Sequence, residues 1–473
     1  MEVSASTATP EASGADTIVH GVFAGESAEQ PALAALLHSG EAKTKAGSLA
    51  LTHLDGRRHL LVGLGKRGEL NAEGARVAAA NVAKRALELG ARRVAWVAPA
   101  GADAGALVEG TILASYRFDR YKRRDEDDAP GELESLTICT EADCSTAVAR
   151  AKLVAEAVNA ARVLQDMPAN DMTPSDLAAR ASELAAAHPS VSASVERRAQ
   201  IIDRGMGAFA AVAQGSAQDP ALITLRYKGP SAKGPVLGFV GKAVTFDSGG
   251  ISLKPSSGME EMKFDMSGGA AVIEALGAIA ALELPVEIVA VVGATENMPS
   301  GRSMRPGDIV RTMKGLTVEI NNTDCEGRLV LADCIAHAIA EGAERVVDLA
   351  TLTGAVVVAL GHTYAGLVAN DDDWAGAVTA AGEATGEIVW RLPLHAEYEA
   401  LVNGSYADLT NRPPRGVASS ITAAAFLARF ADEVPWVHLD IVGTAWELDR
   451  AYTGKGSSGW GVRLLVELAD QLR

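Results

Sequence analysis

The segment "NNTDCEGRLVLAD", Asn321 to Asp333, sets Asp324, Glu326 and Arg328 at alternate positions and follows them at once with an apolar run. Two carboxylates and a guanidinium are costly beside apolar neighbours unless each has a partner or a ligand. Two further stretches share the pattern. In "VGKAVTFDSGGISLK", Val240 to Lys254, Lys242 is expected to close an apolar strand, Asp247 precedes a Ser-Gly-Gly turn, and Lys254 follows "ISL". In "MKFDMSGGAAVIEAL", Asp265 stands just before the glycines that open an apolar helix. Glycines let the backbone come close to a bound group, and open α/β sheets place ligands at the carboxyl ends of their strands.

Four carboxylates in a poorly solvated cleft repel one another and need cations. Lys242, Lys254 and Arg328 can supply them as ion pairs. Divalent metals can do so better, because carboxylates bridge two ions and paired metals sit about 3.5–4 Å apart in hydrolytic sites. "DCE" reads as an extended segment, whose period of two turns Asp324 and Glu326 to one side, a spacing suited to a metal pair, and sends Cys325 to the other. Taken singly, each acid reads as a helix cap or a surface residue, and Asp324 and Asp265 both stand where a cap would. The combination is what favours a site.

The elements that must hold these residues read as α/β throughout. In the first part, strands at "TIVHGVFA", "RHLLVGLG", "RRVAWVAPA" and "ESLTIC" alternate with helices over "NAEGARVAAANVAKRALELG" and around Gly105 to Tyr116. That alternation predicts a three-layer unit with a mainly parallel sheet. The run "RFDRYKRRDEDDAPGE" reads as a solvated loop. An Ala-rich helix from about Ser145 to Gln165 stops at "DMPANDMTP" and carries the domain junction. Thr173 is placed to cap the next helix, with Pro174 in its first turn. Beyond it, "ALITLRY", "PVLGFVGK", "PVEIVAVVG", "LTVEINN", "RVVDLATL" and "WVHLDIVG" read as strands separated by helices. The expectation is two α/β domains: a smaller three-layer N-terminal domain over residues 1–144, a connecting helix over 145–170, and a larger catalytic domain with a mixed sheet over 171–473.

Composition narrows the function. A chain of 473 residues is long for a single core. Its formal charge of −17 argues against nonspecific attraction to nucleic acid or anionic lipid. The sequence shows no apolar run of membrane-spanning length. The opening "MEVSASTATPEASGADT" has neither the basic nor the apolar region of a secretory signal and reads as a short disordered leader. Four cysteines without a C-x-x-C pair read as packing residues in a reducing cytoplasm. "GLGKRG", Gly63 to Gly68, has the form of a dinucleotide fingerprint, but the next strand ends "WVAPAG" without the required acid, so it reads as a plain glycine turn.

The three charged stretches closely resemble the motifs of the leucyl aminopeptidase family of cytosolic dinuclear-metal exopeptidases. The match continues through "DLATLTGAVVVALG", "SSITAAAFLARF" and "WVHLDIVGTAW", in order and spacing. The resemblance implies two divalent ions, Mn2+ or Zn2+. Asp247 and Glu326 would bridge them, Asp324 would ligate one, and Lys242 and Asp265 would complete the other site. A lysine ligand must be neutral, since an ammonium has no lone pair, and a nearby dication favours that form. In the metal-free protein Lys242 is expected to pair with Asp247. By the same resemblance the substrate amine would pair with Asp265, Lys254 would stabilise the oxyanion, and Arg328 would hold a bicarbonate that relays a proton. Backbone contacts to substrate would come from Thr351, Leu352 and Gly354 of "ATLTG". The implied protein is a cytoplasmic aminopeptidase, a homohexamer, that releases Leu-like N-terminal residues and has no membrane partner. The alternatives are a DNA-binding regulatory role, which the negative charge disfavours, and a dinuclear phosphoesterase, which would want histidine ligands that the motifs lack. Cys325 stands where the family has a small alanine, and "ADLTNRPPRGVASS", Ala407 to Ser420, departs from its more glycine-rich loop.

Overall fold

The computed structural model describes residues 1–123, 131–413 and 416–473. The chain forms two compact units, Met1–Asn159 with Asp449–Gly454, and Ala160–Leu448 with Lys455–Arg473.

The first unit holds a six-stranded sheet, with β1 Glu2–Ser6, β2 Thr17–Phe23, β3 Leu49–Leu54, β4 Arg57–Gly65, β5 Arg93–Val97 and β6 Ser135–Cys139, in the order β1-β6-β5-β2-β4-β3. All neighbours run parallel except β3 and β4. The opening residues are therefore not a disordered leader. Glu2 to Ser6 pair in parallel with Ser135 to Cys139. An edge strand is held by its backbone ladder and by one neighbour, so a weakly apolar sequence is enough. β3 and β4 form a hairpin through Asp55 and Gly56, both at positive φ, the pairing a tight hairpin turn requires. Part of the charged run expected as a loop, residues 124–130, lies outside the described residues. The long helix spans Ser145–Asp166. Thr173 caps the helix Pro174–Ala187 in a reciprocal capping box with Asp176.

The second unit is built on an eight-stranded mixed sheet. Its strands are β7 Val191–Glu196, β8 Ala221–Lys228, β9 Leu237–Asp247, β10 Glu287–Asn297, β13 Arg345–Ala350, β14 Ala365–Ala369, β15 Val389–Arg391 and β17 Trp436–Asp440, in the order β15-β14-β17-β13-β9-β10-β8-β7. A small separate sheet joins β11 Ile309–Arg311, β12 Thr317–Glu319 and β16 Leu409–Thr410. The central strands β17, β13, β9 and β10 run parallel, so their carboxyl ends share one edge. Two helical layers cover the sheet. Leu329 to Ile335 of the Gly327–Ala340 helix pack with Val240, Val346 and the Ser419–Ala431 helix on one face. The Ser267–Ala281 helix lies on the other, where the Gly241 backbone meets that of Gly269. One stretch, Met259–Ala281, proves long and apolar enough by composition to cross a membrane, contrary to the sequence expectation. Its apolar character has another cause: nearly all of it is buried inside the protein. Core helices covered on every side are apolar all round.

Candidate metal centre

Lys242 does not close its strand. β9 runs five residues further, to Asp247. In a regular strand residues five apart face opposite sides. Here the pairing of β9 with β10 shifts register between Thr295 and Glu296, leaving Thr245 as an extra residue on β9. Such a bulge re-aims the residues beyond it, and both side chains reach one cluster. Gly249 and Gly250 then turn the chain back at φ +85° and +68°, where a side chain would be strained.

Asp265 comes after a short 3₁₀ helix, Met259–Phe264, and precedes the Ser267–Ala281 helix. It caps neither with its side chain. Its Oδ1 accepts from Lys242 Nζ at 2.7 Å and from Thr351 Oγ1 at 2.6 Å. The third motif is not extended. Residues 323–324 form a turn, and Glu326, with φ −74° and ψ −38°, is the helical residue that opens Gly327–Ala340. Its two acids still enter the cluster, through a turn rather than through strand alternation. Gly327 makes room for Lys242: a Cβ there would lie 2.6 Å from Lys242 Cε.

Carboxylate oxygens of Asp247, Asp265 and Glu326 lie within 4.8 Å of one another, and all three residues are buried. Lys242 Nζ sits 2.7 Å from Asp265 and 2.8 Å from Glu326. The expected Lys242–Asp247 pair is replaced by Lys254, whose Nζ lies 2.9 Å from Asp247 and also pairs with Asp324. Asn297, which the sequence reading missed, donates to Asp247 Oδ1 at 2.9 Å and to the Thr323 carbonyl at 3.0 Å, tying the first motif to the third. Nothing local marks it; it acts because β10 neighbours β9.

The electrostatics arise from burial. Burial and Glu326 push Asp247 up, against Lys254 and Lys242. Burial likewise drives Asp265 well above the carboxylate range, although Lys242 opposes it. Asp324 is raised to about 6 by burial and by Asp247. For Glu326 the two lysines outweigh burial and hold it low. Burial disfavours the Lys242 ammonium, but Asp265, Glu326 and Asp247 outweigh it and hold the lysine protonated. With all four acids ionised, the two ammonium groups would leave two negative charges unbalanced among these side chains, the excess that raises Asp247 and Asp265. Asp265 Oδ2 is buried with no partner among the described residues. A buried lone acceptor beside excess negative charge fits a divalent cation.

The remaining candidates surround this cluster. Arg328 is 4% exposed; its Nη1 donates to the Asn411 carbonyl at 2.7 Å, and its Nε has no partner among the described residues. The Thr351 carbonyl is taken by Lys242 at 2.8 Å, and the Leu352 N–H faces Asp440 at 3.3 Å. These two backbone groups are thus engaged within the protein. Gly354 opens the Gly354–Leu360 helix and is exposed. Part of the divergent loop, residues 414–415, lies outside the described residues.

A cation-seeking cluster at the carboxyl ends of parallel central strands, in a two-unit α/β chain, has the arrangement of a metal-dependent hydrolase. Comparison with known proteins specifies it further. Residues 159–466 match the catalytic domain of the cytosol aminopeptidase family, and residues 22–125 match its N-terminal domain. A "Probable cytosol aminopeptidase" of Roseiflexus castenholzii is 43% identical over 99% of this chain and 98% of its own. One of the same name from Alkaliphilus oremlandii is 43% identical over 89% of this chain and 87% of its own. Among solved structures, the bottromycin maturation enzyme BotP in complex with Mn aligns with a TM-score of 0.88 at 37% identity, over 97% of this chain and 99% of that one. A tomato leucine aminopeptidase mutant aligns at 0.89 and 33% identity, over 100% of this chain and 96% of that one. The chain belongs to the cytosol aminopeptidase family. It is an aminopeptidase, a hydrolase of peptide bonds, with the two-domain α/β architecture of that family.

Proposed function

We propose that this aminopeptidase is a two-metal enzyme that prefers Leu-like N-terminal residues. The observation that carries the reading is the buried triad Asp247, Asp265 and Glu326, with an oxygen on Asp265 that has no partner among the described residues. Lys242, Asp247, Asp265, Asp324 and Glu326 would hold two divalent ions, Mn2+ or Zn2+. When bound, such ions polarise a carbonyl and lower the pKa of water toward neutrality. Lys242 must give up its proton to ligate, because an ammonium has no lone pair.

The chain's own groups divide the remaining work. Asp265 accepts the substrate's free amine, which restricts cleavage to the N-terminus. Lys254 is the more exposed of the two lysines, its side chain 22% accessible. It donates to the carbonyl oxygen as negative charge develops there. Arg328, whose Nε has no partner among the described residues, would hold a bicarbonate, which when bound would supply a proton relay at this end of the site. Gly354 and the Thr351–Leu352 backbone border the bound residue. The enzyme acts in the cytoplasm as a homohexamer on peptide substrates, and residues 1–144, 145–170 and 171–473 serve as its N-terminal domain, connecting helix and catalytic domain. Nothing in the comparisons favours a DNA-binding role.

The test is metal content per subunit, measured together with a screen of aminoacyl amides that differ in their N-terminal residue. Two tightly held ions and fastest release of Leu-like residues are expected. One ion or none in the active enzyme, or a preference for charged residues, overturns the reading.

A further inference from the structure

Behind the site lies a buried polar network that the roles above do not use. Asp440 ends β17, next to Ala350 at the end of β13, and is 2% exposed. Its Oδ2 accepts from Thr353 Oγ1 at 2.6 Å, and its Oδ1 faces the N–H groups of Leu352 and Thr353 at 3.3 Å each. Thr353 Oγ1 also lies 2.7 Å from Ser420 Oγ on the Ser419–Ala431 helix. Residues 351–353 have no regular secondary structure. Their shape therefore depends on such contacts. The same short loop touches the metal centre twice: the Thr351 carbonyl accepts from Lys242, and its hydroxyl donates to Asp265.

We propose that Asp440 is a positioning residue for this site: through Thr353 it fixes the 351–353 loop, and through Thr351 it sets where the Lys242 amine and the Asp265 carboxylate stand. It rests on the two-metal reading above and assigns no contact between Asp440 and substrate or metal. A carboxylate suits the task because it is acceptor-only, and it meets a hydroxyl and two N–H groups at once. Two residues back on the same strand, His438 Nδ1 lies 2.6 Å from Asp348, which also accepts from Trp436 Nε1 at 2.7 Å. This second set braces β17 against β13, so Asp440 is presented from a rigid strand end. Supporting groups of this kind change metal affinity as well as rate.

Thr353→Val keeps the shape and removes the 2.6 Å donor, while Thr353→Ser keeps the hydroxyl. Thr224→Val, which removes a buried hydroxyl 3.1 Å from His337 Nε2, is the control for a merely structural loss. For Thr353→Val we expect kcat to fall at least about tenfold and one of two cation-binding events, titrated calorimetrically with Mn2+ into chelated protein, to weaken by about 10–100-fold. Thr353→Ser should restore both, and Thr224→Val should change neither. If Thr353→Val yields no soluble protein, Asp440→Asn carries the same expectations. Either variant matching Thr224→Val in both rate and titration overturns the proposal. Wild-type enzyme that binds a single ion overturns instead the two-metal reading on which it rests, so the two failures are distinct.

Discussion

Replacing Glu326 with alanine separates a ligand from a structural acid, because the local electrostatics nearly cancel in the metal-stripped protein. The Glu326 carboxylate lies 2.8 Å from Lys242. At an effective dielectric of about 20 that attraction is about 6 kcal/mol. Its oxygen also lies within 4.8 Å of Asp247 and Asp265. With Asp247 and Asp265 both ionised, each repulsion is at least about 3.5 kcal/mol on the same scale, about 7 for the two. Lys254 adds a further, more distant attraction. Removing the carboxylate removes all of these together, and Lys242 keeps Asp265 as a partner. The folding stability of the chelated protein should therefore move by about 2 kcal/mol or less, well under the roughly 3–5 kcal/mol typical when a buried charge is left alone. A cation, by contrast, loses an anionic ligand without any matching relief. Its affinity should fall by more than the roughly 10–100-fold typical of a supporting group. The assays are urea unfolding of the chelated variant, Mn2+ titration by calorimetry, and release of leucine from its p-nitroanilide. Wild-type metal affinity with near wild-type turnover, accompanied by a large loss of chelated stability, would refute the ligand assignment and make Glu326 a structural acid.

Lys254→Ala should retain both ions while turnover drops about 10²–10³-fold, the range for loss of an oxyanion donor; metal-loaded variant with normal turnover sinks that role. Asp324 titrates at about 6 in the fold, above the usual 3.8, because burial and Asp247 disfavour its anion. A raised carboxylate pKa means the folded state binds the proton more tightly than the unfolded one. Its contribution to the chelated protein's stability is thus fully present below about pH 4 and is lost as pH rises through about 6. Asp324→Asn should flatten that part of the pH–stability curve, and an unchanged slope between about pH 4 and 6 counts against it. Thr173→Ala should cost about 1 kcal/mol through loss of the capping box at Pro174–Ala187, with kcat unchanged; unaltered unfolding midpoints would contradict it. Light scattering should give the mass of six chains, and a stable, fully active monomer would refute the assembly.

The sequence by itself determined the residue types and their local settings. The carboxylates and lysines of the three motifs, the glycines around them and the capping box at Thr173 are all local features, readable from neighbours a few residues away. The alternation of strands and helices likewise announced two α/β units. The edge strand at Glu2–Ser6 was not legible, because what holds it is backbone pairing with residues more than a hundred positions distant. Tertiary structure alone decided which charges meet. Lys242 and Asp247 converge because a bulge at Thr245 offsets the strand period. Lys254 rather than Lys242 takes Asp247, and Asp324 and Glu326 arrive through a turn and a helix start instead of an extended segment. Asn297, Thr353 and Asp440 join the site because β10, β9, β13 and β17 lie side by side with their carboxyl ends together. Strand order is set by the burial of whole faces. It brings together residues far apart in the chain, and no local pattern encodes a distance between them.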